Sequence, residues 1–189
     1  MRRSVIVALL GVLLVSTASV AHAQGRQRHD GFWIGFGLGA GALTSGNLDE
    51  SERGGAAGYV RLGGTLSQKI LMGGELSFWG RQEDTFLGEN TVTLTRANAT
   101  FTVIIYPSDN GGFFMKGGFG GANIQTQVGN LTQDIQGLGT TIGLGFDVRL
   151  GRNLYLTPNA DLLLQTFEQD NDETVTNGII LLTIGLTWH

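Results

Sequence analysis

Beyond residue 23, apolar side chains return every second residue, and they do so in eight separate segments. A period of two is the geometry of an extended strand, whose successive side chains point to opposite faces. In the first segment Phe32, Ile34, Phe36, Leu38 and Ala40 share a face, with Trp33, Gly35, Gly37 and Gly39 opposite. The second and third set Val60, Leu62 and Leu66 against Tyr59, Arg61 and Thr65, and Ile70, Met72, Leu76 and Phe78 against Glu75, Ser77 and Arg81. The fourth and fifth set Phe101, Val103 and Ile105 against Arg96 and Asn98, and Phe113, Met115 and Phe119 against Lys116. The sixth sets Ile142, Leu144 and Phe146 against Asp147 and Arg149. The last two oppose Leu154, Leu156, Leu162 and Leu164 to Asn159 and Asp161, and Ile180, Leu182, Ile184 and Leu186 to Thr183 and Thr187. No stretch of this region repeats apolar residues at helical spacing. The stripes match the 9–11 residues, or about that, with which a tilted strand crosses a bilayer. Eight crossings are expected.

The connections alternate in kind. Long polar stretches around 44–56, 81–91, 125–136 and 166–177 follow the odd-numbered strands. Short links centred on Ser67-Gln68, on 107–111 and on 151–153 follow the even ones. An even strand number then brings both termini to the short-turn, periplasmic end. The long loops on the other side hold most of the acids, among them Asp49, Glu50, Glu52, Glu83, Asp84, Glu89, Glu168, Asp170, Asp172 and Glu173. Thirty-one glycines against two prolines suit a sharply curved sheet, where strands bend and backbones approach closely. Pro158 falls inside the seventh strand, where it cannot donate to a ladder, and predicts a bulge. Val92 and Leu94 sit on the polar face of the fourth strand, which predicts a projecting end or a register shift. Aromatic residues gather near strand ends and read as two interfacial girdles. Phe32, Trp33, Tyr106, Phe113, Phe114, Tyr155 and Trp188 would form one; Tyr59, Phe78, Trp79 and Phe167 would form the other.

The first 23 residues read as a signal peptide. Arg2 and Arg3 precede an apolar run from Val5 to Val15, and Ala21-His22-Ala23 offers a small-residue cleavage site before Gln24. The run falls short of the roughly 20 apolar residues of a membrane helix. Residues 24–30 would be a short periplasmic tail and 31–189 an outer-membrane barrel domain. Cleavage takes two of the 12 basic residues and none of the 16 acidic ones, so the exported chain is acidic. That balance argues against nucleic acid, which is held through Lys and Arg at its phosphates. With no cysteine, the exported fold must close without disulfides.

Charge decides which face looks inward. Arg61, Glu75, Arg96, Lys116, Asp147, Arg149 and Asp161 all lie opposite the apolar stripes. Each would cost about 2–4 kcal/mol facing lipid near the midplane, whereas inside the two signs can pair. The reading is an all-β, eight-stranded antiparallel up-and-down transmembrane β-barrel with a polar interior network. A soluble barrel of lipocalin type would turn the stripes inward, but it would need charges spread around its whole exterior.

On this strand pattern, residues 31–189 resemble the small outer-membrane β-barrel superfamily that includes the OmpA transmembrane domain and OmpX-like proteins. The last strand is similar to the C-terminal signal read by the barrel-assembly machinery, with Gly185, Leu186 and Trp188 as its carriers; His189 after the aromatic departs from the pattern. The resemblance implies outer-membrane localisation, a monomer, and outer-membrane lipid and lipopolysaccharide as surroundings.

Chemistry is sparse. Beyond the signal segment the histidines are His29 and His189, both on the periplasmic side. Lipid-modifying enzymes on similar barrels use a histidine near the outer surface, and none falls there. The glycine-rich run from Gly35 to Gly41 lies within a strand, so it is no dinucleotide loop. Glu75 with Asp147 or Asp161 reads as structural ion pairing rather than acid–base chemistry, and the acidic run 168–173 as a solvated loop. No catalytic residue, cofactor or metal site is assigned. The first functional reading is a non-enzymatic barrel with a structural or surface-interaction role. The alternative is a narrow conduit or binding barrel for small solutes, hydrophobic ones included, as in OmpW-like proteins. N-terminal sequencing of the membrane-extracted protein should begin at Gln24; a chain still carrying Val5–Val15 would contradict the signal-peptide reading.

Overall fold

The computed structural model describes residues 29–44, 54–84, 91–108, 111–128, 131–168 and 174–189. The signal segment, most of the tail expected at 24–30 and most of the loop acids lie outside these residues. The strands are β1 (Phe32–Thr44), β2 (Gly54–Ser67), β3 (Ile70–Asp84), β4 (Thr91–Ile105), β5 (Phe113–Val128), β6 (Leu131–Phe146), β7 (Val148–Arg149), β8 (Leu154–Glu168) and β9 (Thr174–Trp188). The two-residue β7 continues β6 beyond a break at Asp147, since both pair with β8. The wall therefore has eight staves. Each is antiparallel to its neighbours, and β1 closes the ring against β9 from Ile34↔Trp188 to Thr44↔Gly178.

The faces fall as charge predicted. Phe36, Leu38, Phe101, Phe119, Ile142 and Ile184 are exposed on the outer wall, while Arg61, Glu75, Lys116, Asp147 and Asp161 are buried inside. Water would not tolerate so continuous an apolar belt, whereas hydrocarbon would. No helix among the described residues is long and apolar enough to cross a membrane; here the strands do it.

The strands run further than their apolar stripes. Of the stretch 125–136, expected as a loop, all but 129–130 is paired, up to Val128↔Leu131. The stretches 44–56, 81–91 and 166–177 likewise lose residues to strands at both ends. Polar composition cannot separate a loop from a strand that has left the membrane. A bulge lies at Thr65/Ser67, beside the β2–β3 turn, and not at Pro158. Gly145 faces Asn159 and Val148 faces Leu156, the same three-residue step on each strand, so the register passes Pro158 unbroken. The β8 ladder has a gap at Phe146 and Asp147, where Pro158 has no N–H to donate; on the opposite edge Asp147 N still donates to Gly112 O at 2.8 Å, which continues the β5 pairing.

The register at Leu94 does not shift. The β3–β4 and β4–β5 ladders run without a break, and Leu94 turns inward against an apolar cluster. Most of the expected girdle is also inside. Trp33, Tyr59, Trp79, Tyr106, Phe114, Tyr155 and Phe167 are buried, leaving Phe32, Phe113 and Trp188 exposed, with Phe78 half-buried. Large rings are needed to fill a cylinder that glycine-rich staves would leave hollow.

Leu182 lies mid-stave on the outer wall between Ala40 and Ala160. Leu182→Arg should lower unfolding stability in lipid vesicles by about 2–4 kcal/mol. Unchanged stability would mean that this face does not meet hydrocarbon.

Candidate functional site

Chemistry-bearing side chains collect in a belt across the middle of the lumen. Lys116 reaches from β5 to Glu75 on β3, with its Nζ 2.7 Å from Oε1 and 2.6 Å from Oε2. The same ammonium pairs with Asp161 Oδ1 on β8 at 3.1 Å. One cation thus ties three staves together across the axis. Ser77 donates to Glu75 Oε1 at 2.8 Å, and Asn159 donates its amide N–H to Asp161 Oδ2. Room for this comes from the wall. A Cβ on Gly143 would collide with Asp161 and stand 2.8 Å from Lys116 Cε, and one on Gly37 would stand 2.5 Å from the Tyr59 ring.

Arg61 faces Glu75 directly in the β2–β3 register. Its guanidinium lies 4.9 Å from the Tyr59 ring centre and 5.1 Å from that of Phe114, and Nη2 donates to Thr187 Oγ1 at 3.3 Å. These are cation–π distances. Asp147 sits nearer the short-turn rim, accepting from the hydroxyls of Tyr106 and Thr157, each at 2.6 Å. The remaining two predicted members lie apart. Arg96 is half-buried opposite Trp79, and its Nε and Nη1 meet no hydrogen-bond partner among the described residues. Arg149 caps the last short turn, donating to the carbonyls of Gly151 and Arg152.

The lumen is layered, not polar throughout. Towards the long-loop end Ala57, Trp79, Leu163, Ile179 and Leu181 pack together; towards the short-turn end Trp33, Leu71, Ile104, Tyr106 and Phe114 do. Alternation alone could not show this, because a residue such as Leu181 or Leu71 reads as noise on a polar face.

The rim holds a group that sequence reading did not assemble. His29, just ahead of β1, and His189, just after β9, stand with ring centres 4.7 Å apart, and both are buried. Burial first, then the His29 ring and the Arg61 guanidinium, pushes the His189 imidazole down to about 3, so it is neutral at ordinary pH. The signal was available: closing an even-stranded barrel makes its first and last strands neighbours, so residues flanking them must meet.

The fold and its charged lumen define an integral β-barrel of the outer-membrane type. The chain belongs to the outer membrane protein beta-barrel domain family, which it matches over residues 9–187. It is therefore a protein of the bacterial outer membrane. No curated protein matches its sequence. Among solved structures it is similar to Neisserial surface protein A, at 10% identity and a TM-score of 0.62, over 86% of this chain and 99% of that one. It is also similar to Ail, the attachment invasion locus protein of Yersinia pestis, at 11% identity and a TM-score of 0.59, over 84% and 99%. OprG from Pseudomonas aeruginosa aligns at 12% identity and 0.51, over 86% and 98%. At such identities the likeness is one of fold.

Removing one partner of a buried ion pair leaves the others uncompensated, at about 3–5 kcal/mol. Lys116→Met should therefore destabilise the barrel by that order in a urea titration in detergent or lipid. Adding Glu75→Leu should recover part of the loss. Equal stability of the wild type and the single variant would show that the belt is not held by charge.

Proposed function

We propose that this chain is a non-enzymatic barrel whose role is structural or one of surface interaction, exercised at the long-loop end of its strands. One observation carries this reading: a lumen filled across three layers beneath an outer collar of polar residues. The collar is best developed on β5 and β6. Asn123, Gln125 and Gln127 face outward on one strand, Asp134 and Gln136 on the other, beyond the apolar belt of Phe119, Ile142 and Leu144. From 131 to 136 both faces of β6 are exposed, so this hairpin rises clear of the wall. Strands of 13–16 residues exceed the 9–11, or about that, needed for crossing, and the surplus is offered to the outside.

The non-enzymatic part of the reading is supported by where the histidines fall: both described ones lie at the short-turn rim, far along the strands from the collar. The conduit alternative gains no support from an axis crossed by Lys116, Glu75 and Asp161. In this reading lipid and lipopolysaccharide surround the apolar belt, and the chain is a monomer. Gly185, Leu186 and Trp188 serve as the assembly-machinery signal, after cleavage at Ala23/Gln24. The structure of Ail was solved with a heparin analogue. The acidic balance of this chain would repel such a polyanion, and points instead to neutral or cationic surface partners.

Planar-bilayer recording of the purified protein should show no steady single-channel openings, and cells expressing variants lacking 46–52 or 169–173 should adhere less to a neutral or cationic surface. Regular openings would overturn the reading in favour of a conduit. Adhesion unchanged by either deletion would remove the surface role.

A further inference from the structure

We infer that His29, Asp147 and His189 form a binding site for one divalent transition-metal ion of the zinc class, set at the seam where the barrel closes. Each residue offers one ligand atom, and these atoms all lie within 4.8 Å of one another, with all three residues buried. Around a tetrahedral zinc with bonds of about 2.0–2.1 Å, ligand atoms stand roughly 3.3 Å apart. Each separation therefore needs to close by at most about 1.5 Å, which side-chain rotation supplies.

The protonation pattern supports the assignment independently. His29 Nδ1 lies 2.9 Å from the backbone oxygen of Gln68. A carbonyl can only accept, so Nδ1 carries the proton and Nε2 presents a bare lone pair. That Nε2 is buried and has no hydrogen-bond partner among the described residues; nor has either ring nitrogen of His189. Three orphaned imidazole nitrogens at one place are costly unless something fills the gap between them. A histidine whose outer nitrogen is fixed by a carbonyl while its inner one is free has the orientation of a metal ligand. Gln68 fixes it further: its amide N–H donates to His29 O at 2.9 Å, and its Oε1 accepts from His29 N at 3.2 Å. Asp147 is held by Tyr106 and Thr157, and its oxygens keep further acceptor capacity.

Two imidazoles and one carboxylate suit zinc, copper or nickel, and disfavour magnesium and calcium, which require oxygen ligands. Three protein ligands leave a fourth position for water or an anion. The nearby Arg61 guanidinium opposes a cation, so the Asp147 charge and an anionic fourth ligand are needed to offset it. The ligands come from a position three residues ahead of β1, the break between β6 and β7, and the residue after β9. A bound ion would therefore clasp the segments that flank the first and last strands to the wall.

The test uses tag-free protein extracted from membranes, stripped with a chelator and titrated with Zn2+ in detergent. One equivalent should bind at micromolar concentration or tighter, with Mg2+ unable to compete, and should raise the urea midpoint of unfolding. His29→Gln and His189→Gln, checked for folding by heat-modifiable gel migration, should each weaken binding more than tenfold and abolish the rise in midpoint. Gln68→Ala, which removes the side-chain grip on the His29 backbone but keeps the carbonyl that holds its ring, should weaken binding less than either histidine variant. No Zn2+ bound at 100 micromolar, or wild-type affinity in either histidine variant, would overturn the site and leave the rim filled by water. Binding without a change in midpoint would overturn the clasp.

Discussion

A bilayer offers no water to the backbone, so every N–H and C=O in the spanning region must find a partner within the sheet. For strands this demands a ring, since an open sheet leaves two edges unsatisfied in hydrocarbon. The pairing of β1 with β9 meets that demand, and the remaining structure is arranged around its consequences. Closure creates an inside and an outside that alternate residue by residue. Each stave must then satisfy two solvents at once, lipid on one side and a narrow lumen on the other.

Filling the lumen is the second problem, and the chain solves it by layers. A ring of eight strands encloses a space that side chains can close. A purely polar filling would need every group paired, and a purely apolar one would erase the difference between the two faces. Here charge is confined to a middle belt where Lys116 answers two carboxylates, with hydrophobic packing above and below it. Those caps keep water from the belt, which strengthens its ion pairs and makes any broken one expensive. Glycines on the same inner face, Gly143 and Gly37 among them, give the space that the large side chains occupy. At Gly39, Gly63 and Gly73 a Cβ would instead collide with a carbonyl oxygen of the paired strand, so glycine serves close backbone approach in the wall as well as volume in the lumen.

This division of labour explains what could be read from the chain and what could not. The period of two and the placing of Arg61, Glu75, Lys116 and Asp161 were enough for topology, strand number and the sense of the faces. Loop lengths were not legible: Gln125 and Gln136 look like loop residues, yet they are paired strand above the apolar belt. The aromatic residues misled because a ring at a strand end fits an interfacial girdle and a lumen plug equally well by position. Only parity separates them: Trp33 and Tyr155 share a face with the charges, whereas Phe32 and Trp188 share one with the leucines. Pro158 misled through a rule about donors. A lost N–H does not require an extra residue: a two-residue gap in the ladder with β8 accommodates Pro158 without a change of register.

That gap also shows why the rim differs from the belt. Breaking the ladder at Asp147 ends β6 at Phe146 and places a carboxylate where the residues flanking the first and last strands meet. Sequence distance hides the meeting, since His29 and His189 stand at opposite ends of the described chain. Barrel closure makes it unavoidable, because the termini of an even-stranded ring share one rim and adjacent staves. Residues flanking the first and last strands lie outside the ladders that close the ring, so they are held by what they meet at the rim. A polar cluster that joins both flanks to the wall acts where strand pairing has stopped.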